Sequence, residues 1–206
     1  GVEDGLVLNV GLPRYCGLGS IDRHSLGDDT RTALELGGGP VVLWAGQPDG
    51  ENSYLALERL LDRFDDPVTT VLFRAHPRDL AYTSGRYAKQ FSDYPINLFD
   101  VTGYHDVIGL CCAADLVATQ FSSLAVEASH LGVPALFVLY DDLGKDYLRF
   151  LYGYDSLPWC ADQCSFVIES EAETQQVLNT ALFDEAARDR VRNNFLERFV
   201  PNANSA

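Results

Sequence analysis

From Val41 onward, short continuous apolar runs alternate with amphipathic stretches. That alternation marks strands buried on both faces and joined by helices, the pattern of a parallel sheet. Val41-Val42-Leu43-Trp44-Ala45 reads as the first such strand, and further strands are predicted at 69–73, 96–99, 116–119, 135–139 and 165–168. Leu55, Leu57, Leu60, Leu61 and Phe64 recur at helical spacing and predict a helix over 53–64, ended by Asp65-Asp66-Pro67 because proline cannot continue it. Other helices are predicted from Pro77 to about residue 90, and at 104–113, 123–131, 171–182 and 184–199. The fold class is therefore α/β, an open parallel sheet flanked by helices.

Gly37-Gly38-Gly39 and Pro40 divide this body, residues 40–206, from an arm over residues 1–39. The arm reads as an interdomain linker with the remnant of a preceding domain. The chain contains no Met, opens on the strand-like run Leu6-Val7-Leu8-Asn9-Val10 and stops just after a helix, so it reads as an excised domain. The sequence shows no internal repeat.

Composition narrows the partners. Hydrophobic residues make up 47% and charged residues 22% of the 206, an ordinary globular proportion. The net charge of −15 argues against nucleic acid, whose binders need a basic face. A small phosphorylated ligand is still compatible, because backbone amides and one or two local cations hold phosphate inside an acidic protein. No apolar run reaches the roughly 20 residues that span a bilayer, and no signal peptide opens the chain. Cys16, Cys111, Cys112, Cys160 and Cys164 are an odd set without zinc-ligand pairs, which reads as reduced thiols in a cytoplasmic setting. No metal site is expected.

Open parallel sheets bind ligands at the carboxyl ends of their strands. That rule selects the loops at 46–51, 74–79, 100–105, 119–123 and 140–146. Thr119-Gln120-Phe121-Ser122-Ser123 follows a strand and opens a helix, where unpaired N–H groups and the helix dipole favour an anion. The plainer reading is N-capping by Ser122 or Ser123. Glu127, one turn on, is placed to accept from ribose hydroxyls, or is an ordinary glutamate near a helix start. His76, between Arg74 and Arg78, can donate to phosphate, and Pro77 would hold the turn; a structural histidine is the alternative. Tyr104 and His105 are candidates for the base, and Gln47 for the sugar or an acceptor. P-loop, GxGxxG, HExxH and nucleophile-elbow motifs are absent, so no cofactor is expected and a dehydrogenase is disfavoured.

The ordered set Gly11-Leu12-Pro13-Arg14, Arg74-Ala75-His76-Pro77, Ala114 through Ser123 and Gly132-Val133-Pro134-Ala135-Leu136-Phe137 resembles the C-terminal half of CDP-glycerol glycerophosphotransferases. It is also similar to bacterial sialyl- and polysialyltransferases, which carry His-Pro and Ser-Ser motifs. The resemblance implies a GT-B fold, two Rossmann-like domains facing a cleft, of which this chain is the C-terminal one. It further implies that His76 contacts donor phosphate, that Ser122 and Ser123 hold the phosphates, and that Glu127 reaches the ribose or base. Residues 11–14 would lie at the interdomain linker. The chain departs from the glycerophosphotransferase pattern at Gln120-Phe121, where Asp-Tyr is usual, at Glu127, where Asp is usual, and at Trp159, where Leu-Pro-Gly becomes Leu157-Pro158-Trp159.

The reading that follows is a donor-nucleotide domain of a glycosyl- or glycerophosphotransferase. It would use a CMP-, CDP- or UDP-activated donor in cell-surface polymer synthesis, with His76 as the catalytic candidate. The acceptor's base would sit on the missing N-terminal domain, which would also make any membrane contact. The alternatives are an enzyme like UDP-N-acetylglucosamine 2-epimerase and a non-catalytic nucleotide-binding module.

Overall fold

The computed structural model describes residues 15, 17–48, 50–64, 67–91, 94 and 97–200. Six parallel strands form one sheet: β1 (Val41–Ala45), β2 (Thr70–Arg74), β3 (Asn97–Asp100), β4 (Leu116–Thr119), β5 (Ala135–Val138) and β6 (Phe166–Ile168). Their order is β3-β2-β1-β4-β5-β6. The chain works outward from β1 in one direction, then returns to β4 and works outward in the other. That reversal leaves a crevice between the carboxyl ends of β1 and β4, the place where doubly wound sheets bind ligands.

The helices are α1 (Arg23–Ala33), α2 (Gly50–Leu61), α3 (Leu80–Thr83), α4 (Arg86–Phe91), α5 (Val107–Ala113), α6 (Ser123–His130), α7 (Asp146–Tyr152), α8 (Glu171–Phe183) and α9 (Glu185–Phe199). Strand residues alternate between two cores. Val42, Trp44, Val71 and Phe73 pack with α2, α4, α8 and α9, while Val41, Leu43 and Val117 pack with α5 and α6. All five residues of β1 are buried, which is why it is apolar throughout.

Three expectations change. Residues 23–33, placed in the arm by sequence, form α1, which lies on α5. Asp22 caps it by accepting from the Ser25 N–H at 3.1 Å. The contact is made by a glycine, since a Cβ on Gly27 would meet the Cys112 carbonyl oxygen at 2.5 Å. Leu18 and, in part, Ile21, Leu26, Leu34 and Leu36 join the core on that side, so residues 18–36 pack on the body. The helix expected to run from Pro77 to about residue 90 is broken into α3 and α4 at Gly85, whose φ of +76° no helix accommodates. The helix expected at 104–113 begins only at Val107, because Asp106 accepts from the Gly109 N–H at 2.8 Å and caps it there. The Gly11–Arg14 motif lies outside the described residues.

Candidate functional site

The crevice between β1 and β4 opens into a cleft of about 500 Å³. Its floor is Ala45 and Gly46 at the end of β1. One wall is Arg74, Ala75, His76 and Pro77 after β2; the other is Ser122, Ser123, Leu124 and Glu127 at the start of α6. Val107 and Ile108 of α5 close the side. The structure thus brings together Arg74, His76, Ser122, Ser123 and Glu127, which sequence had placed in separate loops.

The start of α6 is partly satisfied internally. Thr119 Oγ1 accepts from the Ser122 N–H at 3.2 Å, and Ser122 Oγ accepts from the Leu124 N–H at 3.3 Å. Ser122 is therefore an N-cap as well as a cleft residue. The next residue, Ser123, is exposed, and among the described residues no protein group takes its N–H or hydroxyl. A helix start with an open N–H and hydroxyl facing a cleft suits a phosphate oxygen. Glu127 lies one turn in, buried and lining the same cleft.

His76 is oriented by its own turn. The Arg78 N–H donates to His76 Nδ1 at 3.1 Å, so in the neutral ring the proton sits on Nε2. Burial, and next the Arg78 charge, hold the imidazolium below its ordinary range, against an opposing pull from Asp79. The ring is thus a neutral Nε2–H donor. Acting as a base at Nε2 would require the other tautomer, whose Nδ1–H would confront the Arg78 N–H.

The depressed pKa has a consequence for stability. The unfolded ring titrates near 6.5. Below that pH the unfolded chain takes up a proton that the folded ring refuses, so stability from this residue is complete above 6.5 and falls as pH drops toward the lower folded value. Thermal midpoints measured between about pH 5 and pH 8 should show this extra acid loss in the wild type. His76→Gln should lack it; equal pH profiles would contradict the assignment.

Behind these walls lies a polar frame. Arg74 Nη1 donates to the Thr102 and Tyr104 carbonyls at 3.0 and 3.1 Å, and the Ala75 N–H donates to Thr102 Oγ1 at 2.9 Å. Arg74 therefore ties the 101–104 turn to the His76 loop, in addition to lining the cleft. Asp79, fully buried, accepts from the Ala81 and Tyr82 N–H groups at 2.8 and 3.1 Å and from the Tyr87 hydroxyl at 3.0 Å. Burial, followed by the Asp79 charge, raises the Tyr87 pKa, so that hydroxyl keeps its proton and donates.

Other expected residues stand elsewhere. Gln47 is buried and donates to Thr119 Oγ1 at 2.8 Å, while Thr119 Oγ1 donates to the Ala45 carbonyl at 2.7 Å. These two residues lock β1 to β4 beneath the crevice and do not line the cleft. Gln120 is fully buried, and neither atom of its amide has a hydrogen-bond partner among the described residues. Arg78 and His105 are exposed and Tyr104 half-buried, and none of the three lines the cleft. Gly46, Val107 and Ile108 were missed by sequence. At Gly46 a Cβ would stand 3.1 Å from the Arg74 carbonyl oxygen and 3.2 Å from the His76 nitrogen, so a larger residue would press on the His76 loop.

Among the described residues, no group of three His, Cys, Asp or Glu could hold a metal ion, and no helix is long and apolar enough to cross a membrane.

Comparison with known proteins gives one family match. Residues 42–205 fit the model of CDP-glycerol:poly(glycerophosphate) glycerophosphotransferase. Among solved structures, the chain is similar to the wall teichoic acid polymerase TagF soaked with CDPG. The identity is 21%, over 99% of this chain and 49% of that one, with a TM-score of 0.65. It is similar to WaaG, a glycosyltransferase involved in lipopolysaccharide biosynthesis, at 18% identity over 95% of this chain and 50% of that one, TM-score 0.59. It is also similar to Anabaena Alr3699/HepE in complex with UDP and glucose, at 18% identity over 88% and 50%, TM-score 0.56. No curated protein matches. The chain spans about half the length of the structures it matches, and its sheet is the Rossmann-like half of a GT-B fold.

Proposed function

The chain belongs to the CDP-glycerol:poly(glycerophosphate) glycerophosphotransferase family, and from that premise we propose that it is the donor-nucleotide half of a transferase of cell-surface polymers. The observation that carries the reading is the single cleft joining His76 to the Ser122–Ser123 helix start at the sheet's switch point. The diphosphate of a CDP-activated donor would lie between them. It would accept from His76 Nε2–H on one side and from the Ser123 N–H and hydroxyl on the other.

These donors oppose the charge that grows on the leaving nucleotide as its bond to the transferred group breaks, and they are positioned before the reaction begins. Glu127 would accept from the ribose hydroxyls, and Arg74 would hold the His76 loop in place. A neutral His76 assists departure without taking a proton, and the acceptor's hydroxyl proton would go to a base on a second domain across the cleft. That second domain is also where acceptor binding and any membrane contact would reside.

Calorimetry tests the reading. CDP should bind the chain saturably, CMP more weakly for want of the second phosphate, and UDP should report how strictly the base is read. No heat with any of the three at millimolar ligand would overturn it and leave a non-catalytic module.

A further inference from the structure

At the opposite end of the sheet, a second cleft of about 290 Å³ opens beneath the amino ends of β4 and β5. Arg23 and His24 at the start of α1 line it, together with Arg188 and Arg192 of α9 and the Gly132 turn. In a chain of net charge −15, this gathering of arginines from two helices far apart in sequence is itself unusual.

Their geometry makes it more so. Arg23 Nη1 donates to the Gly132 carbonyl at 3.0 Å. A Cβ built on Gly132 would stand 3.3 Å from Arg192 Cδ and 3.9 Å from Arg23 Nη1, so both side chains converge over the same turn. Arg23 is half-buried, yet among the described residues it has no ion pair. The carboxylate that acts on it at longer range, Asp115, is already engaged by Arg31 Nη2 and the Val41 N–H, each at 2.8 Å. Arg192 pairs with Asp189 one turn before it on α9, while Arg188 has no ion pair among the described residues. Burial lowers the Arg23 pKa; Asp115 opposes that shift, and Arg192 and Arg31 add to it by less. With the Asp115 Oδ2 oxygen held by Arg31 and the Val41 N–H, a half-buried cation beside two further arginines is stabilised by an additional anion.

We propose that this cleft is a second anion site, in which Arg23, Arg188 and Arg192 bind a phosphate group on the face away from the donor cleft. Guanidinium forks match phosphate oxygens two at a time, and converging arginines favour an oxyanion of more than one charge. Asp115, Glu185 and Asp189 line the same cleft, and their charge favours a small anion over a bulky polyanion.

The test follows the arginine Nε–Hε resonances of the full chain by NMR, with inorganic phosphate and dimethyl phosphate as separate probes. The protein carries His76→Ala and Ser123→Ala, so that the donor cleft is silent. Saturable shifts of Arg23 and Arg192 with inorganic phosphate support the site. Shifts with dimethyl phosphate as well identify a small phosphodiester as a ligand; shifts with inorganic phosphate alone identify a free phosphate or monoester. Arg188→Gln, at a partly exposed position whose loss should leave the fold intact, should weaken binding about tenfold or more, and Arg23→Gln should weaken it further. No saturable shift with either probe, or affinity unchanged by both substitutions, overturns the proposal.

Discussion

Replacing Asp79 with alanine should destabilise the chain by about 3 kcal/mol and lower its melting temperature by roughly 10 °C. The substitution touches no ligand. It removes one buried carboxylate that accepts from two backbone N–H groups and from the Tyr87 hydroxyl. Tyr87 is itself buried, and its remaining acceptor is the Gly50 carbonyl at a long 3.3 Å. Without Asp79 the hydroxyl falls back on that longer bond and the two N–H groups lose their acceptor, at a cost of about 1–3 kcal/mol for a buried polar group left unsatisfied. Gly50 adds a constraint from the other side, because a Cβ there would sit 2.1 Å from Asp79 Oδ1. The start of α2 at Gly50 and the 74–79 loop are thus fastened to one carboxylate, and CDP binding should fall along with stability. Asp79→Asn keeps an acceptor and should lose much less. Thermal melts of the two variants decide the matter; a loss below about 1 kcal/mol in Asp79→Ala would show that the loops are held by something else.

The second large effect falls on binding alone. With His76→Ala and Ser123→Ala together, CDP affinity should drop by more than about 100-fold, since two hydrogen bonds to a charged phosphate are removed at roughly 1.5–3 kcal/mol each. The melting temperature should scarcely move. Ser123 is exposed, and among the described residues the His76 ring hydrogen-bonds to its own turn alone. A fall in affinity accompanied by an equal fall in stability would mean that these side chains support the fold and do not read the ligand.

The sheet was legible because its signal is local. A strand buried on both faces must be apolar throughout, so Val41–Ala45 and Leu116–Thr119 announce themselves. Helix α1 was not legible, for the converse reason. It buries Gly27 and Thr30 against the backbone of α5, and a glycine contact leaves no apolar stripe to detect. The breaks at Gly85 and Asp106 were written in residues whose effect depends on the geometry around them.

The site divides in the same way. His76 and Ser123 could be placed at the cleft because a strand end followed by a helix start is a sequence pattern. Gln47, Thr119 and Gln120 share that pattern, yet all three are buried and none lines the cleft, which spacing along the chain does not reveal. The fixed tautomer of His76 depends on one backbone bond two residues away, which no spacing rule reveals.

The central claim is that the donor's diphosphate lies between His76 and the start of α6. Mapping backbone amide shifts during a CDP titration tests it most directly. The account predicts that the largest changes fall on Gly46, His76, Ser123 and Leu124, and that they vanish in the His76→Ala, Ser123→Ala variant. Largest changes at Arg23, Gly132 and Arg192 at the far end of the sheet, or none at saturating ligand, would contradict it.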